Sequence, residues 1–419
     1  MNPVRLVLVG MMFWPIVAFA QAPARTVGFD EAVQQAVAKN PTVAGAATAI
    51  ARAEALLQQS RAALMPTVTA NVANVTYNAE RGFEDTVTQP QSQFQFGAAA
   101  SMPLLAPEAR ARITQGRDQI EVAALATAEV RQQVSVAAAY AYLGVVAARR
   151  QVEVNERAVE SARAHLDFAQ KRLEGGAGSR LNQLRAAQAL SRDEAQFEHA
   201  QFALRQAQEA LGLLLAEDGP VDAGPEPTFA VPQNADGQAG WLADRPDVQL
   251  QARTIEAAER VWRDSWKTWL PTAAVTFSPQ AVAPASIFAP SRTWQLSLNL
   301  TQRVFDRRPA ADKALRQVAL SQAMFARDDI ELRARSEERI ARQALGSSER
   351  VLAASRRAAE QADEVLAITT AAFEVGATTN LEVIDAQLSA RDAATAAAFA
   401  EDAARRARFE LLVATGRFK

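Results

Sequence analysis

Cysteine is absent from this chain. That excludes disulfides, thiolate metal sites and a thiol nucleophile. Histidine occurs twice, as His165 and His199. The two stand in different helical stretches without the acidic companions of a zinc site, and both read as helix-face residues. No nucleophile–base pair, P-loop or dinucleotide fingerprint occurs, so the sequence offers no enzyme, cofactor or metal centre. Aromatic residues make up only 6%, and alanine dominates the apolar positions, which suits closely packed helices better than a thick core. A net charge of −2 with 22% charged residues gives no basic surface for nucleic acid. Beyond the first twenty residues no apolar run reaches the ~18 needed for a spanning helix.

What is present begins with those first residues. Arg5, the apolar stretch Leu6–Val17 and Ala18-Phe19-Ala20 form the three regions of a signal peptide, residues 1–20. Gln21 follows the cleavage site, so the cysteine-linked anchor of a lipoprotein is not available. The expectation is an exported bacterial protein without a transmembrane helix.

The remainder is a duplication. LEGGAGSRLNQLRAA at Leu173–Ala187 and FEVGATTNLEVIDAQ at Phe373–Gln387 lie 200 residues apart. The same offset pairs Arg150 with Arg350, Arg157 with Arg357, Leu166 with Leu366 and Leu211 with Leu411. Repeats of this size set the architecture. They predict a first structural repeat over 21–216, a connector over 217–240 and a second repeat over 241–419.

Each repeat carries the same order of signals. Helical spacing over Phe29–Met65 is interrupted at Asn40-Pro41 and stops at Met65-Pro66. Arg245-Pro246 and Leu270-Pro271 take those places in the second copy. After Pro66 and Pro271 the period changes to two. Val68, Ala70 and Val72, then Phe94, Phe96, Ala98 and Ala100, predict a hairpin over about 66–103. Val275 and Phe277, then Trp294, Leu296, Leu298 and Leu300, predict another over about 271–303. Pro107 and Pro309 then open long helices ending at Leu173 and Phe373, rods of roughly 100 Å at 1.5 Å per residue. Gly-containing turns end both, and shorter helices return. Seven-residue stripes, Ala344/Val351/Ala358/Val365/Ala372 and Ser348/Ser355/Ala362/Thr369, mark a left-handed coiled-coil seam. The arginine runs Arg149-Arg150, Arg356-Arg357 and Arg405-Arg406 read as interhelical salt-bridge partners, and Trp294 as a lipid-facing residue near an interface.

Strands of ~9–11 residues have the length that crosses a bilayer when tilted. Four strands cannot close a barrel, and open edges are not tolerated in lipid. Two chains would supply eight and leave a filled interior; three supply twelve, wide enough for a lumen. The fold class expected is mainly α with a membrane β-barrel. Four strands per chain contribute to a 12-stranded outer-membrane β-barrel, and small residues along the stripes let the duplicated long coiled-coil helices lie side by side as a curved wall. A periplasmic coiled-coil scaffold without a pore is the competing reading.

FDEAVQQAVAKNP at Phe29–Pro41, RPDV at Arg245–Val248, RVFDRR at Arg303–Arg308 and above all FEVGATTNLEVIDAQ resemble the TolC family of outer-membrane efflux channels. The resemblance implies a homotrimer embedded in outer-membrane lipid, its duplicated long helices forming a trimeric α-barrel that crosses the periplasm. It also implies a periplasmic adaptor (membrane fusion) protein and an inner-membrane transporter as partners, with no nucleic acid. The function it implies is a passive exit duct for tripartite efflux or type I secretion. Carried over by motif, the periplasmic gate falls on Glu382, Asp385 and Phe373. Glu382 replaces the family's usual aspartate, and Phe373 lacks the hydroxyl of the family's aromatic. The adaptor-docking turns fall on Gly175, Gly176 and Ala177, and on Val375, Gly376, Ala377 and Thr378. Arg180, Leu181 and Asn182 stand where the first repeat would carry an acid, so only the second copy keeps the acidic pair.

Overall fold

The computed structural model describes residues 25–83, 86–230 and 240–418. The signal-peptide reading and part of the connector lie outside the described residues. Along the chain come β1 (Arg25–Val27), α1 (Phe29–Lys39), α2 (Pro41–Ala62), β2 (Thr67–Thr76), β3 (Arg81–Phe83), β4 (Thr86–Gln89) and β5 (Ser92–Leu105). The rods α3 (Pro107–Glu174) and α4 (Arg180–Leu214) follow, then β6 (Val221–Ala223). The second half has α5 (Trp241–Asp244), α6 (Pro246–Arg263), a 3-10 turn (Asp264–Trp269), β7 (Thr272–Ala283), β8 (Arg292–Thr301), α7 (Arg308–Glu374) and α8 (Asn380–Ala414). Among the described residues no helix is long and apolar enough to cross a membrane.

The joints have local causes. Asn40 caps α2 by accepting from the Thr42 N–H (2.9 Å) and donates to the Leu214 carbonyl (3.1 Å). It thereby ties the first helices to the end of α4. Arg245 does the corresponding work in the second half. Its guanidinium holds Asp247 (2.8 Å), Glu337 on α7 (2.8 Å) and the Ala414 carbonyl at the end of α8 (3.1 Å). Pro107, Pro246 and Pro309 all stand in the first turn of their helices, where a missing N–H costs nothing.

The packed core sits halfway along α3. Val134, Ala138, Tyr142, Val145 and Val146 meet Ala32 and Ala36 of α1, Leu211 and Leu215 near the end of α4, and Val221 and Ala223 of β6. An aromatic group adjoins it, with Phe409 of α8 against Tyr140, Phe229 and Phe418 at 4.8–5.3 Å between centroids. From this belt α3–α4 and α7–α8 run as two antiparallel pairs to a common tip, and α3 also packs on α8. The stripe Ser348, Ser355, Ala362 and Thr369 is half-buried. Val351 and Val365 of the other stripe are exposed, as are Val318, Phe325 and Leu332, also seven residues apart on α7. One chain therefore leaves an apolar face of this rod uncovered.

The strands form one antiparallel sheet in the order β2-β5-β7-β8. Its register aligns the alternation of all four strands. Val68 lies opposite Ala100, Ala100 opposite Phe277, and Phe277 opposite Leu296. On the other face Thr67 pairs with Ser101, Ser101 with Thr276, and Thr276 with Ser297. Gly97 belongs to this polar face, and a Cβ there would stand 2.6 Å from the Asn71 amide oxygen.

Several boundaries differ from the expected ones. β5 is 14 residues and β7 is 12, longer than the ~9–11 expected. β5 continues past Pro103 through a register shift between Pro103 and Leu105, because a bulge tolerates a residue that cannot donate to the ladder. The polar stretch after β2 contains the small hairpin β3–β4. β1 and β6 form a parallel pair that no periodicity signalled, since three residues are too few to show one.

Candidate functional site: the tip of the paired rods

The rods α3 and α7 both end in a glycine-based cap. Gly176 and Gly376 have φ of +72° and +78°, the left-handed region open to glycine. The Ala177 N–H reaches back to the Arg172 carbonyl (2.9 Å), and the Ala377 N–H to the Ala372 carbonyl (2.8 Å). These are the long bonds of a Schellman motif. Ser179 and Thr379 then cap α4 and α8. Gly175, Gly176, Ala177, Val375, Gly376 and Ala377 are exposed, and Thr378 is half-buried.

The second turn alone has a full capping box. The Glu382 N–H donates to the Thr379 hydroxyl (3.3 Å), and the Glu382 carboxylate accepts from the Thr379 N–H (3.1 Å). Glu382 thus also fixes the start of α8. Asp385 is three residues on and exposed beside it; such spacing keeps two side chains on one helix face. The first repeat has Asn182 in place of Glu382, and its cap is one-sided.

Phe373 is buried, with only 6% of its surface exposed. Its ring packs on His165 and edge-on against Phe168 of α3, both at 5.5 Å. The Arg172 guanidinium lies 5.3 Å from the same ring centroid and donates to the Phe373 carbonyl (3.2 Å). The aromatic is therefore a wedge joining α7 to α3.

His165 corrects the sequence reading, which placed it on a helix face. It is buried at 7% exposure, with Nε2 2.8 Å from Asn380 Oδ1. Asn380 Nδ2 donates to the Asn182 carbonyl (3.4 Å). Oδ1 therefore faces the histidine, and the ring N–H is the donor. The contact couples α3 to the first residue of α8 beside the α4 start. Farther up the seam Gln387 donates to Ser161 Oγ (3.1 Å), and Arg391 pairs with Asp193 (2.6 Å). Both members of that ion pair are largely buried, their side chains 15% and 7% exposed.

Sequence reasoning missed His165, Asn380, Arg391 and Asp193. A trace of them lies in the duplication. His165 stands where the second copy has Val365, and Asp193 where it has Ala393. Polar residues replacing apolar ones at equivalent positions marked a place where the halves meet.

Burial holds the His165 pKa below its usual 6.5, opposed by the Asn380 hydrogen bond. A base whose pKa falls on folding binds its proton more readily when the contact is open. The contact is intact above about 6.5 and weakens as pH falls towards the lowered value. Separation of the two turns, read as the distance between spin labels on Ala177 and Ala377, is expected to rise as pH falls below about 6.5. His165→Gln should flatten this profile, and an equally steep profile in that variant contradicts the assignment.

Residues 32–217 match the model of the outer membrane efflux protein family. A comparison with curated proteins gave no match. Among solved structures, a crystal structure of CusC is similar with a TM-score of 0.80 at 19% identity, covering 92% of this chain and 91% of that one. The CmeC outer membrane channel of Campylobacter jejuni gives 0.79 at 16% identity, over 93% and 86%. The open state of the Neisseria gonorrhoeae MtrE outer membrane channel gives 0.77 at 18%, over 93% and 88%. At these identities the likeness is one of fold, and it extends over both halves.

Proposed function

We infer that the chain is an outer-membrane efflux channel, a reading supported by the match of residues 32–217 to the outer membrane efflux protein family model. It serves as a passive, non-enzymatic exit duct. The sheet is the observation that carries the reading. It is apolar on one face and polar on the other across all four strands. Among the described residues its outer strands β2 and β8 each have one partner in the sheet, and they run in opposite directions. A second copy can therefore add its β2 to this β8 and continue the antiparallel pattern. Three copies give twelve strands and close a barrel with a lumen. The uncovered apolar stripe on α7 supports contact between protomers along the rods.

The units along the chain are a first repeat over 21–216, a connector over 217–240 and a second repeat over 241–419. In the assembled duct the tip is the periplasmic gate, and opening separates α7–α8 from α3–α4. The turns around Gly176 and Gly376 are the surface offered to an adaptor that couples the duct to an inner-membrane transporter. Asp385 and the outer carboxylate oxygen of Glu382, repeated in each protomer, ring the narrow end and favour cations there.

Purified protein is expected to run as a heat-modifiable trimer from the outer-membrane fraction and to conduct in planar bilayers. A scaffold without a pore would give no conductance. In the same recordings Glu382→Gln with Asp385→Asn should weaken cation selectivity; unchanged selectivity would remove the ring from the account.

A further inference from the structure

At the other end of the rods from the tip, residues 302–307 carry β8 over into α7. Two contacts fix where they lie. Thr301 pairs with Thr272, and Gln302 Nε2 donates to the Trp269 carbonyl (2.7 Å). The segment is thereby laid beside the 3-10 turn Asp264–Trp269, which exposes Trp266 and Trp269. Trp262, one turn earlier, sits beneath Lys313 of α7 (5.8 Å). Val304 and Phe305 are 89% and 85% exposed, and no large apolar side chain among the described residues is more so.

The same rim is basic. Arg303, Arg307 and Arg308 are exposed, and among the described residues no hydrogen bond or ion pair engages their side chains. From Arg303 to Lys313 four basic residues stand against Asp306 and Asp312, in a chain whose net charge is −2. Asp306 turns to the Arg308 backbone N–H (2.9 Å) rather than to a guanidinium. Two further acids at this end, Asp264 and Glu108, are held by Lys267 (2.7 Å) and Arg112 (2.6 Å). Free guanidinium groups therefore lie next to bare aromatic and aliphatic side chains.

The apolar face of the sheet ends here at Leu300 and begins at its far end with Trp294. Trp294 and Thr301 are about 23 Å apart along β8, at 3.3 Å per residue, close to the ~25 Å apolar band of a membrane barrel. Tryptophan favours the membrane interface, and guanidinium groups reach past it to fork onto phosphate. Apolar face, tryptophans and arginines thus follow the order from hydrocarbon to headgroup. A soluble anion would leave Val304, Phe305 and Trp266 without a partner.

We propose that this rim binds anionic phospholipid in the leaflet facing the rods. Arg303, Arg307 and Arg308 hold the headgroup phosphate, and Trp266, Trp269 and Phe305 lie in the interface beneath it. The inference rests on the reading of the sheet as part of a membrane barrel. Such contacts set the depth at which the barrel sits.

The test is tryptophan fluorescence of the mature protein in vesicles that mix brominated phosphatidylglycerol with ordinary phosphatidylcholine, or the reverse, since bromine quenches only rings that meet lipid. Trp294→Phe leaves Trp266 and Trp269 to report on this rim. Trp266→Phe with Trp269→Phe leaves Trp294 to report on the far end of the strands. At the rim the anionic lipid should bind about fivefold or more tightly than the zwitterionic one. That preference should fall towards unity in about 0.5 M sodium chloride. Arg303→Gln, Arg307→Gln and Arg308→Gln together should abolish it. If that variant does not assemble, Arg303→Gln alone should still reduce the preference by about twofold or more. Quenching of Trp294 but not of the rim tryptophans would mean that a neighbouring protomer covers the rim, and overturns the proposal. So does equal binding of the two lipids, a preference that salt does not weaken, or one that survives in an assembled variant. If neither lipid quenches Trp294, the membrane reading itself fails and the proposal with it.

Discussion

Arg391→Ala is expected to shift the tip towards its open arrangement by roughly a hundredfold, seen as raised conductance and open time in planar bilayers. The size follows from burial. Arg391 and Asp193 form the most enclosed ion pair of the seam between α8 and α4. Removing one member of a buried pair costs about 3–5 kcal/mol, because the remaining charge stays desolvated. Here Arg192 lies 3.4 Å from Asp193 and recovers part of the loss. A cost near ~3 kcal/mol corresponds to about a hundredfold in the opening equilibrium. Asp193→Ala combined with Arg391→Ala should do less damage than Arg391→Ala alone, since no buried charge is then left unpaired. Additive effects of the two changes would show that the pair does not hold the tip.

Leu298→Lys is expected to abolish stable trimers in the outer membrane. Leu298 is central in β8, 69% exposed, and stands on the apolar face opposite Val275. A lysine facing lipid near the bilayer midplane costs about 2–4 kcal/mol, and every protomer of the barrel would bear it. Ser297→Lys, one residue away on the polar face, should assemble normally and alter conductance or ion selectivity instead. Trimer yield from the membrane fraction, compared between the two variants, reads the result. Equal tolerance of both would mean that neither face meets lipid.

Both predictions rest on features that were unequally legible in the sequence. The hairpins were readable because Trp294, Leu296, Leu298 and Leu300 alternate without a break, and a half-apolar strand must do so. The 200-residue offset recovered the paired tips, since α3 ends at Glu174 and α7 at Glu374. The order of the strands was not encoded in periodicity. It follows from the long helices bringing two separated hairpins edge to edge, which joins β5 to β7.

The tip shows the same division. The spacing from Thr379 to Glu382 is that of a capping box, so the structural task of Glu382 was written locally. The pairing of Arg391 with Asp193 spans 198 residues, and nothing near either residue announces it. Phe373 was singled out by its motif, but a motif does not report burial. Its place against His165, Phe168 and Arg172 depends on how α7 lies on α3. The arginine runs were legible as pairing groups, yet Arg406 pairs within its own helix while Arg149, Arg150, Arg356 and Arg405 reach other elements.

The central claim is that β8 of one protomer pairs with β2 of the next. The absence of native cysteine makes a direct measurement available, with single cysteines introduced in pairs along Thr67–Thr76 and Arg292–Thr301 and crosslinked in intact cells. The account predicts a set of matched pairs, one strand running up and the other down, whose covalent products end at a trimer. Products that stop at a dimer, or no intermolecular product at any register, would contradict it.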